Sequence, residues 1–118
     1  MDYPESFDHM MAAWNERDPE RVRGHLEKAL SPEVHFVDPS ADTRGLDEFE
    51  ANVHAVQERI PGAEYRRSSP VDGHHNLYRY HWEIWRDGKL VMPGFDVTEV
   101  DATGRVTRVV GFFGLMPT

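Results

Sequence analysis

The 118-residue sequence contains no cysteine, which excludes a disulfide framework, a thiol nucleophile and sulfur-ligated zinc. It has no long apolar run either; nothing approaches the roughly 20 residues that span a bilayer. The opening segment MDYPESFDHMM is acidic and lacks the basic and apolar regions of a secretory leader, so a cytoplasmic location is expected. Positive charge is scarce. Thirteen Lys+Arg against 21 Asp+Glu leave a formal net charge of −8. With no basic stripe to offset that balance, neither nucleic acid nor an anionic membrane surface is an expected partner. No Gly-rich phosphate loop follows a strand, no G-x-S-x-G elbow occurs, and the seven histidines show no His-Glu-x-x-His spacing. No cofactor and no metal are therefore expected.

What the chain does have is rings. Trp14, Trp82, Trp85, Tyr65, Tyr78, Tyr80, Phe95, Phe112 and Phe113 are many for one domain, which is what this length suits over residues 1–118. Such a chain buries roughly two-thirds of its unfolded surface, enough for one core and one small cavity.

Phe7, Met10, Met11 and Trp14 follow the i, i+3, i+4, i+7 rule, predicting a helix that ends near Arg17. Asp18 as N-cap and Pro19 at the first helical position open a second helix, striped by Val22, Leu26 and Ala29 and stopped at Ser31-Pro32. A first strand covers Glu33–Asp38, and a loop with Gly45 follows. Leu46, Phe49, Val53, Val56 and Ile60 mark a third helix, terminated by Pro61-Gly62. Strands are then expected over 63–71, Leu77–Arg86, Lys89–Val100 and Arg105–Leu115. Asp87-Gly88 is a hairpin turn, and Pro93-Gly94 suggests a bulge. Helices gathered on one face of a mostly antiparallel sheet make an α+β domain. If the sheet bends strongly it folds around the helices as a cone, whose mouth suits a small apolar or aromatic molecule.

One stretch, VHFVDPSADTRG at 34–45, raises a chemical question. Alternation puts Asp38 on the same face as Val34 and Phe36, yet an ionised carboxylate in an apolar site is costly unless paired. Asp38 either caps the turn at Pro39 or sits in a cavity and does chemistry. Tyr78, Tyr80, Trp82 and Ile84 share one strand face. Leu77, Arg79, His81, Glu83 and Trp85 share the other, a mixed exterior of the kind that meets a second subunit. Trp14, Phe36, Phe49, Val109, Gly111 and Phe113 read as core or cavity wall, and Gly111 leaves room beside it. His54 stands one step off the apolar stripe of the third helix. His74 and His75 sit in the turn-like DGHHN.

The chain resembles the NTF2-like, or SnoaL-like, superfamily over nearly its whole length. The resemblance is carried by AAWNERD, VDP, RGLDEF, VMPGFDV, DATGRV and GFFG in that order. Its nearest functional analogue is ketosteroid isomerase, which implies a three-helix cone in a bent sheet and a homodimer. In that enzyme an aspartate before a proline at the end of the first strand is the general base, and Asp38 matches it. A second aspartate, kept protonated by apolar surroundings, helps form the oxyanion hole, and Asp96 matches that. The oxyanion-hole tyrosine of the first helix aligns with Met10, which cannot donate a hydrogen bond. A substitute donor would come from Tyr65, Tyr78, Tyr80 or His54.

The expected function is cofactor-free proton transfer next to a carbonyl (isomerase, cyclase or dehydratase chemistry) with Asp38 as base and Asp96 as proton donor. Trp14, Phe36, His54, Tyr78, Tyr80, Trp82 and Phe113 are the expected ligand contacts. The alternatives are a non-catalytic domain that sequesters a hydrophobic ligand, and a dimerisation module.

Overall fold

The computed structural model describes residues 2–117. Helix α1 spans Ser6–Asn15 and α2 spans Pro19–Ala29. The Asp18 side chain accepts from the Glu20 backbone N–H at 3.0 Å, satisfying one free donor at the start of α2. Strand β1, Leu30–Asp38, begins earlier than the sequence suggests and contains Ser31-Pro32. Its pairing with the last strand is irregular between Leu30 and His35, so Pro32 lies where no regular ladder is interrupted.

After β1 the chain turns at Pro39-Ser40 into β2, Ala41–Arg44, then enters α3, Gly45–Arg59. Four residues at a sheet edge, three of them polar, give no hydrophobic alternation, which is why β2 reads as loop in the sequence. The expected strand over 63–71 is shorter, β3, Glu64–Arg67, and a further strand, β4, Asp72–His74, lies beyond it where none was expected. Both pair with β5, Leu77–Arg86, and the Ser68-Ser69-Pro70 segment separates them. There Ser69 Oγ takes over as acceptor for the His81 N–H at 2.9 Å. Strands β6, Lys89–Val100, and β7, Val106–Phe113, complete the chain.

The seven strands form one mixed sheet in the order β2-β1-β7-β6-β5-β3, with β4 also on β5. Only the β1–β7 pair is parallel. The β5–β6 turn holds Asp87 and Gly88 at φ 52° and 74°, the left-handed pair that a two-residue hairpin needs. The expected bulge at Pro93-Gly94 falls instead at Val91, skipped between the pairs Ile84–Met92 and Trp85–Leu90. Pro93 is tolerated because β7 ends at Phe113, opposite Gly94, leaving Pro93 a strand neighbour on one side only. The three helices fill the concave side. Phe7, Leu26, Phe49 and Val53 from the helices meet Val34, Val106 and Val109 from the sheet, all fully buried. This is the expected α+β cone, with an open sheet.

The end of α1 fixes how the cone opens. Gln57 of α3 directs its amide nitrogen at three carbonyls at the end of α1, those of Ala13, Trp14 and the C-cap residue Glu16, at 3.4, 3.2 and 3.0 Å. Ala13 also accepts from the Glu16 N–H at 3.3 Å, whereas the carbonyls of Trp14 and Glu16 belong to the helix end that has no backbone donor of its own. Asn15 then clamps β3, donating to the Tyr65 carbonyl at 2.9 Å and accepting from its N–H at 2.8 Å.

Candidate active site

Between the helices and the bent sheet lies a largely apolar cavity of about 310 Å³. Its sheet wall is built from three successive rows of side chains that share the concave face. The first row is Tyr80 on β5, Asp96 on β6 and Gly111 on β7, each opposite the next. Asp38 joins it one residue beyond the Val37–Val110 pair. The second row is Trp82, Gly94 and Phe113, and the third is Tyr65, Ile84 and Met92.

Gly111 is what lets the acids meet. A methyl group there would stand 3.0 Å from Asp96 Oδ1 and 3.2 Å from Asp38 Cβ. The Asp96 carboxylate and the Asp38 side chain at its Cβ therefore flank one missing side chain. At Gly94 a methyl would collide with the Trp82 indole, which lies across it.

The aspartates are held differently. Asp38 Oδ1 accepts from the Ser40 N–H at 2.8 Å and from Ser40 Oγ at 2.9 Å. This is the turn-capping bond that the sequence allowed, and it occupies one oxygen; no donor among the described residues reaches Oδ2. Asp96 Oδ1 accepts from Trp82 Nε1 at 2.8 Å, and the Tyr80 hydroxyl stands 3.5 Å from Oδ2. Burial pushes the Asp96 carboxyl up to about 7, the Trp82 hydrogen bond works against it, and the nearby Asp38 charge raises it again. The Tyr80 phenol is pushed far up, first by burial and then by Asp96, so it remains a proton-bearing donor. Tyr80 also exchanges a hydrogen bond of 3.4 Å with Thr98 Oγ1.

Of the other expected ligand contacts, Trp14, Phe36, Tyr80, Trp82 and Phe113 border the cavity. Two do not. His54 turns back along α3 to Glu50, with Nε2 3.2 Å from Oε2, because one step from buried Val53 is a turn of about 100° away from the interior. Tyr78 keeps the face of Tyr80 but packs edge-on against Phe7 at 5.2 Å, and Phe7 closes that end of the cavity. Met10, aligned with the isomerase tyrosine, is buried in the wall and offers no donor.

The sequence reading missed several wall residues: Met11, Val56, Ile60 and Arg59 from the helices, Met92 from β6. Met11 was visible on the α1 stripe; Met92 was hidden by the bulge at Val91, which decides which β6 residues face inward. His74 and His75 stand against each other at 3.0 Å outside the cavity, and no three His, Cys, Asp or Glu side chains converge as a metal site among the described residues.

A bent open sheet around three helices, with acids on its concave face, defines the class of NTF2-like cones. The SnoaL-like domain family matches residues 7–109, and this chain belongs to it. A solved structure from Agrobacterium tumefaciens str. C58, described as a proposed isomerase of the SnoaL-like family, is 32% identical, with a TM-score of 0.88. The match covers 93% of this chain and 95% of that one. A proposed SnoaL-like polyketide cyclase from Jannaschia sp. CCS1 has a TM-score of 0.71 at 12% identity, covering 96% and 90%. An NTF2-like protein of unknown function from an Exiguobacterium species has a TM-score of 0.75 at 14% identity, covering 94% and 99%. The last two show the fold alone. No curated protein matches the sequence.

Proposed function

We propose that this protein is an enzyme that moves a proton next to a carbonyl of a small, mostly apolar molecule without a cofactor. The observation that carries the reading is the acid pair across Gly111, one member of which binds its proton up to about pH 7. In this reading Asp38, through its unoccupied Oδ2, takes the proton from the carbon next to the carbonyl. Asp96 in its protonated form donates a hydrogen bond to the carbonyl oxygen as negative charge develops there. Trp82 and Tyr80 orient Asp96, and Trp14, Phe36 and Phe113 exclude water, which strengthens that hydrogen bond. The proton on Asp38 returns to a different carbon in an isomerase, or drives ring closure or loss of water in a cyclase or dehydratase. The resemblance to ketosteroid isomerase and the SnoaL-like membership both support this class of reaction.

The test needs no natural substrate. Exchange of the α-hydrogens of 2-tetralone with solvent deuterium, followed by NMR, reads the proposed step directly. The parent protein should accelerate exchange, and Asp38→Asn should lose about 10²–10⁴-fold of that acceleration while still binding the ketone. Equal exchange by the two proteins favours the second reading, a domain that only sequesters its ligand, for which donorless Met10 in the wall is the supporting observation.

A homodimer belongs to the same proposal. The convex face carries the row His81, Phe95 and Phe112, with Phe112, Leu90 and Val91 strongly exposed. A second copy of this apolar strip is the occupant we propose for it.

A further inference from the structure

The acid pair occupies one end of the cavity only. Four residues further along β5 and β6 lies the row Tyr65, Ile84 and Met92, about 13 Å away at roughly 3.3 Å per residue. That far end differs in charge. Arg59, in the last turn of α3, is the one cation on the cavity wall among the described residues. Arg23, Arg67 and Arg79 each hold a carboxylate, whereas Arg59 has no ion pair with any described residue. On the same wall the Tyr65 hydroxyl is buried and has no hydrogen-bond partner among the described residues. Arg59 and Tyr65 line the same cavity; burial pushes the Tyr65 phenol up to about 12, and the charge of Arg59 opposes the shift. Asn15 fixes Tyr65 by bonding both sides of its backbone, and the ring packs on Trp14 at 5.2 Å. A buried hydroxyl left without a partner costs free energy, and the cost is recovered when the partner arrives with a ligand.

We propose that the Arg59–Tyr65 end of the cavity receives an anionic oxygen, so that the ligand is an apolar molecule bearing a carboxylate at the end remote from its reacting carbonyl. This rests on the reading of the cavity as a small-molecule site and adds the substrate class and its orientation. The charge pattern sets the direction. The Asp38 carboxylate repels a second carboxylate at its end, where Asp96 carries its proton, and Arg59 attracts it at the other, so only one orientation brings a carbonyl to Asp96. In a chain of net charge −8, a local cation without a carboxylate partner is where such a ligand gains most.

The probe pair is 6-phenylhexanoic acid and its primary amide, alike in shape and different in charge at neutral pH. Affinities come from calorimetry, and the Trp82 indole N–H resonance reports entry into the cavity. The acid should bind at least about fivefold more tightly than the amide, and Arg59→Gln should remove that preference while leaving amide affinity within about twofold. Tyr65→Phe should weaken the acid more than the amide. Arg59 is exposed, so its variant should melt with the parent. If acid and amide bind alike, or the preference survives in Arg59→Gln, the anionic end is wrong and the cavity reading stands. If neither molecule shifts the Trp82 resonance, both fall.

Discussion

Asp96 binds its proton up to about pH 7 in the folded protein, whereas an unfolded chain releases it near pH 4. Between those values the folded state holds more protons than the unfolded one. Its contribution to stability is therefore fully present below about pH 4 and is lost as pH rises through 7. Asp96→Asn cannot ionise and keeps an acceptor for Trp82. It should melt several degrees above the parent at pH 8 by calorimetry, with the gap closing towards pH 4. The same ionisation sets activity: catalysed exchange should fall as pH rises through about 7, because a deprotonated Asp96 cannot donate. Gly111→Ala should cost about 1–3 kcal/mol in chemical denaturation, since its methyl would press on Asp96 and on Asp38. Alternation alone showed Asp38 to face with Val34 and Phe36. That it meets Asp96 across Gly111 depends on the register of three strands, which no local pattern encodes.

At the scale of elements, the strongest local rules placed their segments well. Asp18-Pro19 opens α2, and Asp87-Gly88 turns β5 into β6 with the expected limits, because capping and left-handed turn geometry are decided by neighbouring residues. Strands β2 and β4 escaped notice because they are short, polar and at edges, held by ladder bonds and not by side-chain pattern. The bulge was misplaced because Pro93-Gly94 signals a break, while the skipped residue is Val91, with no signature of its own. Contacts between elements were the least legible. Asn15 clamps β3 to α1, so Asn15→Ala should cost about 1–2 kcal/mol and broaden the Tyr65 ring resonances in NMR spectra.

The whole molecule is a bent sheet with a filled concave side and an apolar convex strip. Aromatic abundance in the sequence pointed to the cavity wall; the exterior was read from the mixed β5 face with Trp85, and the exposed Phe112 on β7 was not foreseen. Sedimentation should show a dimer, and Phe112→Glu should shift it to monomer without lowering the melting temperature of the protomer below that of the dissociated parent. The described residues include no helix long and apolar enough to cross a membrane. Which molecule fits the cone depends on how three helices tilt against the sheet, and that tilt is set by packing such as Gln57 on the end of α1.

The account depends on two carboxylates sharing one water-poor cavity, and a carbon-detected NMR titration of the aspartate side chains tests it most directly. The predicted result is an Asp96 midpoint near pH 7 that moves down in Asp38→Asn, where the neighbouring negative charge is gone. An Asp96 midpoint in the usual range near 4, indifferent to Asp38→Asn, would contradict it.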